Sequence, residues 1–588
     1  MNRNLIAVLL AVVTAARALP QTSKPSAHSP ATLRIGLWTL NHDNDATVSS
    51  AAASVAAIRM CETCAAARLD HQTLIRAENA ALLLPGNNQA AAVTLTGAVI
   101  LTAHGQSLSL SNPVRISARN GALVFSVTLP VETYVERVVA SESGPADTTE
   151  SLKALAMIVR SFALHQAHGH ADYDLCDSTH CQLLRWGSIS SRQVAAHAAT
   201  LATSGETLWF HGQRAAAWFH QNCGGRTASP SEVWITNARG REAANKPMPW
   251  LTSRIDTYCT ASGTREWSAS LSLNDLTAAL AAAGLARPGW KSISVARRGE
   301  SGRAVALLVG ATEIPAEDFR LAVGRALGWN KILSNWFELS SQGDQFVFHG
   351  RGAGHGVGLC QAGSAAMAAQ GRDSSQILAQ YFPGATVADE ATGRAWQSLR
   401  GQGFVFESLD PAAADYLPQL VQALVEAESR SGLQPAAPIT VRAFPSTTAF
   451  RDATLAPGWV AAFTEGNWIA TQPLATLAAR KLLRPTLRHE FLHALVESQA
   501  AAGTPLWLRE GLVEAWSGDA HLTTFTPSLK LEAVDRALAH ASTEAQSEAA
   551  HRAAGWFAQR LLDRYGRGQV VIWLRSGMPV NAISNVSQ

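Results

Sequence analysis

The sequence shows no strong excess of charge of either sign. Its 48 lysines and arginines nearly balance its 45 aspartates and glutamates, and the formal net charge is +3 for 588 residues. A nucleic-acid-binding protein usually carries a clear basic excess, which meets the phosphates. The charge balance therefore argues against a nucleic-acid partner.

Hydrophobic runs long enough to cross a bilayer are missing as well. The apolar residues 5–13 fall short of the roughly 20 that a spanning helix needs. They follow Arg3 and precede a small-x-small sequence at residues 16–18, a pattern that predicts a secretory signal peptide over residues 1–18. The Ser-, Pro- and Thr-rich residues 19–31 predict a disordered linker. We expect an exported protein of the periplasm, cell envelope or extracellular space, without a membrane span.

Cysteine is scarce and its count is odd. The seven residues are Cys61, Cys64, Cys176, Cys181, Cys223, Cys259 and Cys360. In an oxidising compartment an odd count leaves at least one cysteine unpaired or bound to a metal. The spacing of Cys61 and Cys64 fits a redox site or half of a zinc site, although a local disulfide or plain packing is favoured. Cys223 and Cys259 flank one block of residues, and we expect them to pair with each other.

A second cysteine pair lies in a cluster with histidine. Cys176, His180 and Cys181 fall within six residues, and His170 precedes them by six. Thiolates and imidazoles at such spacing suit tetrahedral zinc, with His170 as a fourth ligand. A Cys176–Cys181 disulfide, with His180 as a surface residue, is an equal alternative in an oxidising compartment.

One carboxylate stands out at the end of an apolar helix pattern. Val135, Val138, Val139 and Glu142 fall at i, i+3, i+4 and i+7, so they share one helix face. Glu142 then lies in an apolar setting near the negative end of the helix dipole, and both effects raise its pKa. A second apolar helix pattern follows over residues 152–163, so two packed helices are expected to hold Glu142 at their junction.

A glycine-rich run follows a strand pattern near residue 350. No offset within residues 350–358 gives GxGxxG, so a dinucleotide fingerprint is excluded. Glycine at every second position lets the backbone approach a ligand closely. His349 and His355 are then expected to line the same cleft as Glu142, with a purely structural glycine turn as the alternative.

Three blocks of sequence resemble the SpoIID/LytB family, whose members act on or help remodel bacterial peptidoglycan. The first block runs from Tyr134 to Glu142 and continues with Ala156 and Arg160-Ser161-Phe162-Ala163. The second is Phe219-His220, then Gly224-Gly225-Arg226-Thr227 and Glu232-Val233-Trp234. The third is Gly354-His355-Gly356-Val357-Gly358, then Gln361-Ala362-Gly363. The resemblance covers about residues 32–390.

The resemblance implies a lytic transglycosylase that cleaves peptidoglycan glycan strands. Such an enzyme needs one carboxylic acid, for which Glu142 is the expected general acid and base, because no water has to be activated by a second carboxylate. The expected substrate-binding residues are Arg160, His220, His349, His355 and Gln361. Some family members also carry zinc where the cluster of Cys176, His180, Cys181 and His170 lies.

The sequence after Gly401-Gln402-Gly403 carries a different motif. His489-Glu490-Phe-Leu-His493 places two imidazoles one helix turn apart for zinc, with Glu490 as general base on the bound water. The following Trp507-x-x-Glu510-Gly511 resembles gluzincin-type metallopeptidases, in which Glu510 is the third ligand. Glu514, one turn later, is the rival ligand.

These patterns together predict a multidomain α+β protein. Short apolar runs from residue 33 onwards predict strands. We expect a SpoIID-like mixed α/β domain over residues 32–395, with an inserted segment at 265–340, and a zincin-like α+β domain over residues 405–588. The expected function is cell-wall remodelling by a transglycosylase and a zinc metallopeptidase.

Two alternative hypotheses assign catalysis to a group other than Glu142. Some relatives resemble amidase enhancers, in which case Glu142 is a structural acid, the cleft only docks glycan, and a cell-wall amidase or another envelope protein is the partner. In the other alternative, the C-terminal zinc peptidase is the main catalyst and the large domain targets it to the wall.

Overall fold

The computed structural model describes most of residues 32–583. Undescribed positions within that range are 52–55, 62, 70, 167–169, 188–191, 236–246, 458, 519–526, 542 and 580. The predicted signal peptide and linker lie outside the described residues. In the part of the chain that is described, no helix combines the length and apolar character that a bilayer crossing requires.

Two antiparallel-rich sheets form the first part of the chain. One has seven strands, in spatial order Leu175–Cys176, Thr32–Leu37, Ala122–Pro130, Val114–Arg119, Ala92–Thr96, Ala57–Arg59 and Ala67–Arg68. The other has six strands, in the order Gln106–Leu110, Val99–Ala103, Asp45–Ser50, Thr73–Glu78, Ala81–Leu84 and Asn88–Ala90. A short 3-10 helix, Pro85–Asn87, joins the last two. Side chains alternate along these strands between buried and exposed, which fits sheets with one face on the core.

Helices cover this sheet pair and carry the predicted site. They are Val131–Glu142, Thr149–Gln166, Gln193–Ala202, Pro230–Val233, Thr257–Ala261, Gln361–Ala369 and Ser374–Tyr381. Two small sheets lie beside them: Gln213–Arg214, Glu206–Phe210 and Thr386–Asp389 form one, and the parallel strands Phe219–His220 and Leu359–Cys360 form the other. The parallel pair brings the second and third blocks of the resemblance side by side.

The segment between these blocks has its own apolar core. Its strands form two three-stranded sheets, Glu266–Ser272, Gln345–Arg351 and Phe337–Gln342, and Ile293–Arg298, Ala304–Val309 and Thr312–Pro315. The helices Leu273–Ala282 and Ala316–Leu327 complete it. Phe319, Phe337 and Phe348 are among its fully buried side chains.

A five-stranded mixed sheet organises the last part of the chain. Its order is Gln397–Arg400, Phe404–Ser408, Ile439–Ala443, Trp468–Thr471 and Ala462–Glu465, with Ala462–Glu465 antiparallel at one edge. The helical elements are Pro411–Tyr416 (3-10), Leu417–Ser431, Thr447–Thr454, Leu474–Ala479, Leu483–Glu497, Leu506–Ser517, Leu531–His540 and Glu544–Ser576. The mixture of helices and several separate sheets confirms the predicted α+β class.

Buried and half-buried ion pairs join the first and last parts. Arg442 is 3% exposed and lies 2.7 Å from a carboxylate oxygen of both Glu206 and Glu407. His197 contacts Glu136 at 2.8 Å and Glu465 at 2.9 Å. Glu136 and Glu465 raise the pKa of His197 to about 10, so the imidazole is a cation at neutral pH. Charged side chains therefore pair across the contact between the first and last parts of the chain.

Candidate active site

Glu142 is the last residue of the helix Val131–Glu142, as the sequence pattern predicts. Val135, Val138 and Val139 are fully buried and fix the helix against the core. The carboxylate itself is only partly covered, and its Oε1 accepts a hydrogen bond from the backbone N–H of Leu183 at 3.2 Å. Burial raises the pKa of Glu142 to about 7, against the lowering effects of that bond and of Arg185. A carboxyl with this pKa can both give and take a proton near neutral pH.

Gln361 contacts the same helix end from another segment. Its Nε2 donates to the backbone carbonyl oxygen of Glu142 at 3.0 Å. The neighbouring carbonyl of Ser143 accepts a hydrogen bond from Arg192. Carbonyl groups in the last turn of a helix have no partner within the helix. These two side chains therefore satisfy that turn and fix the position from which the Glu142 side chain leaves.

The Cys/His cluster lies next to this helix end. His170 Nε2 is 3.2 Å from Cys181 Sγ, and His180 Nδ1 is 3.7 Å from the sulfurs of both Cys176 and Cys181. Neither cysteine forms a disulfide in the structure. Ligand atoms of all four residues lie within 4.8 Å of one another, an arrangement that could hold one metal ion. Leu183, which holds Glu142, follows Cys181 by two residues, so this cluster supports the candidate catalytic group.

Two predicted histidines meet at the parallel strand pair. His220 is 4% exposed, and its Nδ1 lies 3.1 Å from the carbonyl of Val357. Burial lowers the pKa of His220 to about 3, so the imidazole is neutral. His355 packs against both His220 and Trp234, with ring centroids 5.7 and 5.1 Å apart. His355 is the more accessible of the two, while His220 is covered by protein.

The glycine run packs against the protein itself. Gly356 and Gly358 have φ angles of 84° and 76°, which other residues rarely adopt. A Cβ on Gly356 would overlap the guanidinium of Arg303, and one on Gly358 would overlap the carbonyl of Trp218. The structural alternative therefore accounts for these two glycines, and close approach to a ligand does not.

Two predicted substrate-binding residues lie elsewhere. Arg160 is completely buried and pairs with Glu132, Nε to Oε1 at 2.9 Å, so its guanidinium does not reach a substrate in this structure. The helices Val131–Glu142 and Thr149–Gln166 pack together and enclose this pair, so substrate binding by Arg160 is not supported. His349 is exposed on the strand Gln345–Arg351, opposite Ser268 and Glu338 in the sheet of the inserted segment. The described contacts join Gln361, and not His349, to Glu142.

The other cysteines give one confirmed and one wrong prediction. Cys61 and Cys64 form a disulfide, which was the favoured interpretation of their spacing together with plain packing. The expected Cys223–Cys259 disulfide is not formed. Both cysteines are free, and Cys360 lies in the same cluster. Sequence spacing could not show that a third sulfur, far along the chain, joins them.

The HExxH motif lies on the helix Leu483–Glu497. His489 and His493 direct their Nε2 atoms towards each other, 3.1 Å apart, and a Glu510 oxygen is 3.7 Å from His493 Nε2. The Nδ1 of His489 lies 3.2 Å from Ser517 Oγ, a contact of the kind that orients metal-binding imidazoles. Burial lowers the pKa of both histidines, to about 3 for His493, and thereby favours the neutral form that binds metal.

Glu490 faces the edge strand of the five-stranded sheet. Its Oε2 accepts a hydrogen bond from Thr464 on Ala462–Glu465 at 2.6 Å. Burial raises the pKa of Glu490 to about 7, and the nearby Glu510 carboxylate adds to this effect. Its pKa suits a group that exchanges protons near neutral pH, which is the role predicted for it.

The sequence pattern misses one histidine in this region. His551 lies on Glu544–Ser576, with Nδ1 3.7 Å from Glu510 and 3.6 Å from Glu514. The two helices approach closely because Gly511 leaves room for the carbonyl of Ala554, where a Cβ would overlap it. No motif marks His551, since only this helix packing brings it to the acidic residues. Glu514, the rival ligand, therefore contacts His551.

Two family models match parts of the chain. Residues 119–210 match SpoIID, stage II sporulation protein, and residues 250–358 match a domain of unknown function, DUF8618. The first match contains Glu142 and the Cys/His cluster, and the second contains His349 and His355. Both matches end before the HExxH helix, so the gluzincin resemblance stays a prediction.

Three bacterial proteins are similar to this chain over less than half of its length. An uncharacterized protein of Brachyspira hyodysenteriae is 27% identical over 273 residues, which are 46% of this chain and 70% of that protein. Stage II sporulation protein D of Bacillus subtilis is 25% identical, over 47% of this chain and 80% of its own. The amidase enhancer of Bacillus subtilis is 22% identical, over 42% of this chain and 39% of its own length. The part of the chain that holds Glu142 is therefore SpoIID-like.

Proposed function

We propose that this protein is exported and remodels bacterial peptidoglycan, and that its SpoIID-like part cleaves the glycan strands with Glu142. The supporting observation is the Glu142 carboxyl itself, which is half-covered at a helix end and has a pKa of about 7. An ordinary surface glutamate is ionised at neutral pH and cannot act as an acid there. The likeness to stage II sporulation protein D and to an amidase enhancer supports a role at the cell wall.

The proposed reaction uses one carboxyl group twice. Protonated Glu142 gives its proton to the glycosidic oxygen as the bond from that oxygen to the anomeric carbon breaks. The resulting carboxylate takes the proton of the sugar's own 6-hydroxyl, whose oxygen bonds to the anomeric carbon and closes an anhydro ring. Since no water is consumed, the paired carboxylates of ordinary glycosidases are not required. The proton balance is closed, because Glu142 ends the cycle protonated.

The surroundings of Glu142 suit this double role. The N–H of Leu183 stabilises the ionised form, while burial favours the neutral form, and the balance gives the pKa near 7. Zinc bound by His170, Cys176, His180 and Cys181 would hold the loop that carries Leu183. In this proposal zinc is structural there, because its four ligands leave no open position. Of the other predicted residues, Gln361 contacts the backbone of Glu142, and His355 is partly accessible beside Trp234.

A second activity is favoured by the geometry of the last part of the chain. We assign His489, His493 and Glu510 to a zinc ion, with Glu490 as the general base of a peptidase. Bound zinc would activate water, and Glu490 would accept its proton. The convergence of the two Nε2 atoms within 3.1 Å is the observation that supports this site. In tetrahedral zinc two imidazole nitrogens lie about 3.3 Å apart, given bonds of about 2.0 Å.

The test distinguishes glycan cleavage by this protein from stimulation of a cell-wall amidase. The full chain is incubated with purified peptidoglycan, intact or freed of stem peptides, with and without an added cell-wall amidase. Soluble glycan fragments without amidase support the transglycosylase. Faster amidase action with no glycan fragments supports the non-catalytic enhancer instead. Stem-peptide fragments alone identify the zinc peptidase as the main catalyst.

A further inference from the structure

A buried cluster of three cysteines and one aspartate includes Cys360, the residue before Gln361. One atom from each of Cys223, Asp256, Cys259 and Cys360 lies within 4.8 Å of all the others. None of these residues is more than 1% exposed, and none of the cysteines is in a disulfide. Three separate segments of the chain thus place four ionisable groups in one site that excludes water.

Backbone N–H groups point at two of the sulfurs. The Cys360 sulfur accepts from the N–H groups of Cys223 at 3.2 Å and of Gly363 at 3.5 Å. The Cys223 sulfur accepts from the N–H of Gly225 at 3.4 Å. Hydrogen bonds of this kind favour the charged form of the acceptor, which is the thiolate. The backbone around the cluster therefore offers hydrogen bonds to two of the sulfurs, and these bonds would stabilise the thiolates that bind metal.

Asp256 is fixed in the cluster by two further groups. Its Oδ1 accepts from the Cys259 N–H at the start of the helix Thr257–Ala261, at 2.9 Å. Its Oδ2 accepts from the Tyr381 hydroxyl, also at 2.9 Å. Among the described residues, no arginine, lysine or histidine forms an ion pair with Asp256. The Cys223 sulfur lies 3.2 Å from the same Oδ2. A buried carboxylate without a cation is costly, so a positive charge between the four groups would stabilise this site.

A buried arginine at the edge of the cluster supports the same conclusion. Arg303 is 1% exposed, and its Nη2 donates to the carbonyl of Cys223 at 2.6 Å and its Nη1 to that of Arg226 at 2.8 Å. Its guanidinium forms no ion pair within the described part of the chain. A net negative centre beside it would compensate that buried charge.

We propose that Cys223, Asp256, Cys259 and Cys360 bind one zinc ion. Three thiolates and one carboxylate are ligands that zinc accepts, and the soft sulfurs disfavour magnesium and calcium. With Zn–S bonds of about 2.3 Å, the edges of the tetrahedron are about 3.8 Å, which small side-chain adjustments reach from the observed spacing. Four protein ligands leave no open position, so the ion is structural. The Tyr381 hydroxyl orients the ligating carboxylate from outside.

The ion would join chain segments that lead to the candidate active site. Cys223 follows the strand Phe219–His220, and Cys360 ends the strand that pairs with it. Gln361 is the next residue and donates to the carbonyl of Glu142. The zinc site therefore fixes where Gln361 meets Glu142. This inference stands on the cluster itself and does not depend on glycan cleavage.

The test measures zinc and thiol chemistry on the full chain, purified without chelator. The zinc content of Asp256→Asn and Cys259→Ser is compared with that of the wild type and of Tyr258→Phe, a matched control on the same helix. We expect a loss of one zinc per chain in the two ligand variants and none in Tyr258→Phe. Equal zinc content in all four proteins would overturn the proposal.

A second measurement does not require the variants to fold. Folded wild-type protein without reductant is alkylated with and without a zinc chelator, and the modified cysteines are mapped by mass spectrometry. A second sample is denatured without reductant before alkylation, which detects any disulfide. A zinc site predicts that chelator increases alkylation of Cys223, Cys259 and Cys360, and that reductant is not needed. Cobalt substitution should add thiolate charge-transfer absorption that Cys259→Ser reduces. A disulfide between any two of these cysteines would overturn the proposal.

Discussion

Gln361 donates a hydrogen bond from Nε2 to the carbonyl oxygen of Glu142 at 3.0 Å, across a sequence separation of 219 residues. This contact joins the first and third blocks of the SpoIID resemblance. The bond is to the backbone of Glu142 and leaves its carboxylate free for chemistry. The contact therefore gives Gln361 a positioning role towards the proposed catalytic residue, whereas the family resemblance implies substrate binding.

Replacing Gln361 with alanine should therefore lower kcat and leave KM nearly unchanged. A lost hydrogen bond of about 1 kcal/mol corresponds to a decrease of about five-fold in kcat. Steady-state kinetics on soluble glycan strands provide the measurement. Gln370→Ala, at the exposed far end of the same helix, is the control. A rise in KM at constant kcat would show that Gln361 binds substrate after all.

The pH dependence of glycan cleavage should follow the titration of Glu142. Its pKa is raised to about 7, so the acid form dominates below that pH, and the rate should fall as the pH rises through 7. The same shift affects stability: the stabilising contribution of the neutral carboxyl is complete below the ordinary pKa of 4.5 and is lost as the pH rises through 7.

Glu142→Gln cannot ionise, so its stability should not decrease as the pH rises through 7. Melting temperatures of the wild type and the variant, measured from pH 4 to 9, should converge at low pH. Between about pH 5 and 8 the variant should gain relative to the wild type. A constant difference across this range would contradict the raised pKa.

Arg160→Lys should reduce the free energy of unfolding, because Glu132 is buried and its bidentate partner is replaced by a point charge. Arg160→Met removes the charge and should cost about 3–5 kcal/mol, while Arg160→Met combined with Glu132→Met should recover much of it. Urea unfolding measures these values, with the exposed Arg372→Lys as control. Unchanged stability in both single variants would show that the pair contributes nothing.

The zinc peptidase assignment predicts different results for neighbouring residues. His493→Ala and Glu510→Ala should lose the proposed C-terminal zinc, because both are assigned as its ligands. Glu490→Gln should keep the zinc and lose peptidase activity by about 100-fold or more, since the general base is gone. Glu514→Ala should keep the zinc, since Glu510 lies 3.7 Å from His493 and is the assigned third ligand. Metal analysis beside a peptide-cleavage assay checks each result.

Full zinc occupancy in Glu510→Ala, with loss in Glu514→Ala, would exchange the roles of these two residues. Full occupancy in every variant would place the metal outside this motif. Zinc at the two proposed cysteine-containing sites would contribute a constant background, so zinc content is compared as a difference from the wild type.

Local patterns in the sequence were sufficient to predict that Glu142 ends a helix and that the residues of the Cys/His cluster lie together. Helix periodicity places Glu142 at the end of an apolar face, and short spacing brings Cys176, His180 and Cys181 together. The α+β class also follows from local strand and helix patterns. The domain boundaries predicted from the sequence stay a prediction.

Packing between distant segments was not predictable from the sequence. Arg160 pairs with a glutamate on another helix, and His551 reaches Glu510 only because Gly511 lets two helices approach. Cys360 joins Cys223 through the parallel pairing of two short strands. Each of these contacts depends on long-range register, which a single sequence does not encode in any periodicity or motif.

The central claim is that Glu142 performs the chemistry of glycan cleavage. It is tested most directly by mass spectrometry of peptidoglycan digested with the wild type and with Glu142→Gln, which keeps the size and hydrogen bonding of the side chain but has no transferable proton. The wild type should release fragments with anhydro ends, and the variant should be folded, bind peptidoglycan and release almost none. Anhydro ends formed by Glu142→Gln at the wild-type rate would contradict the account.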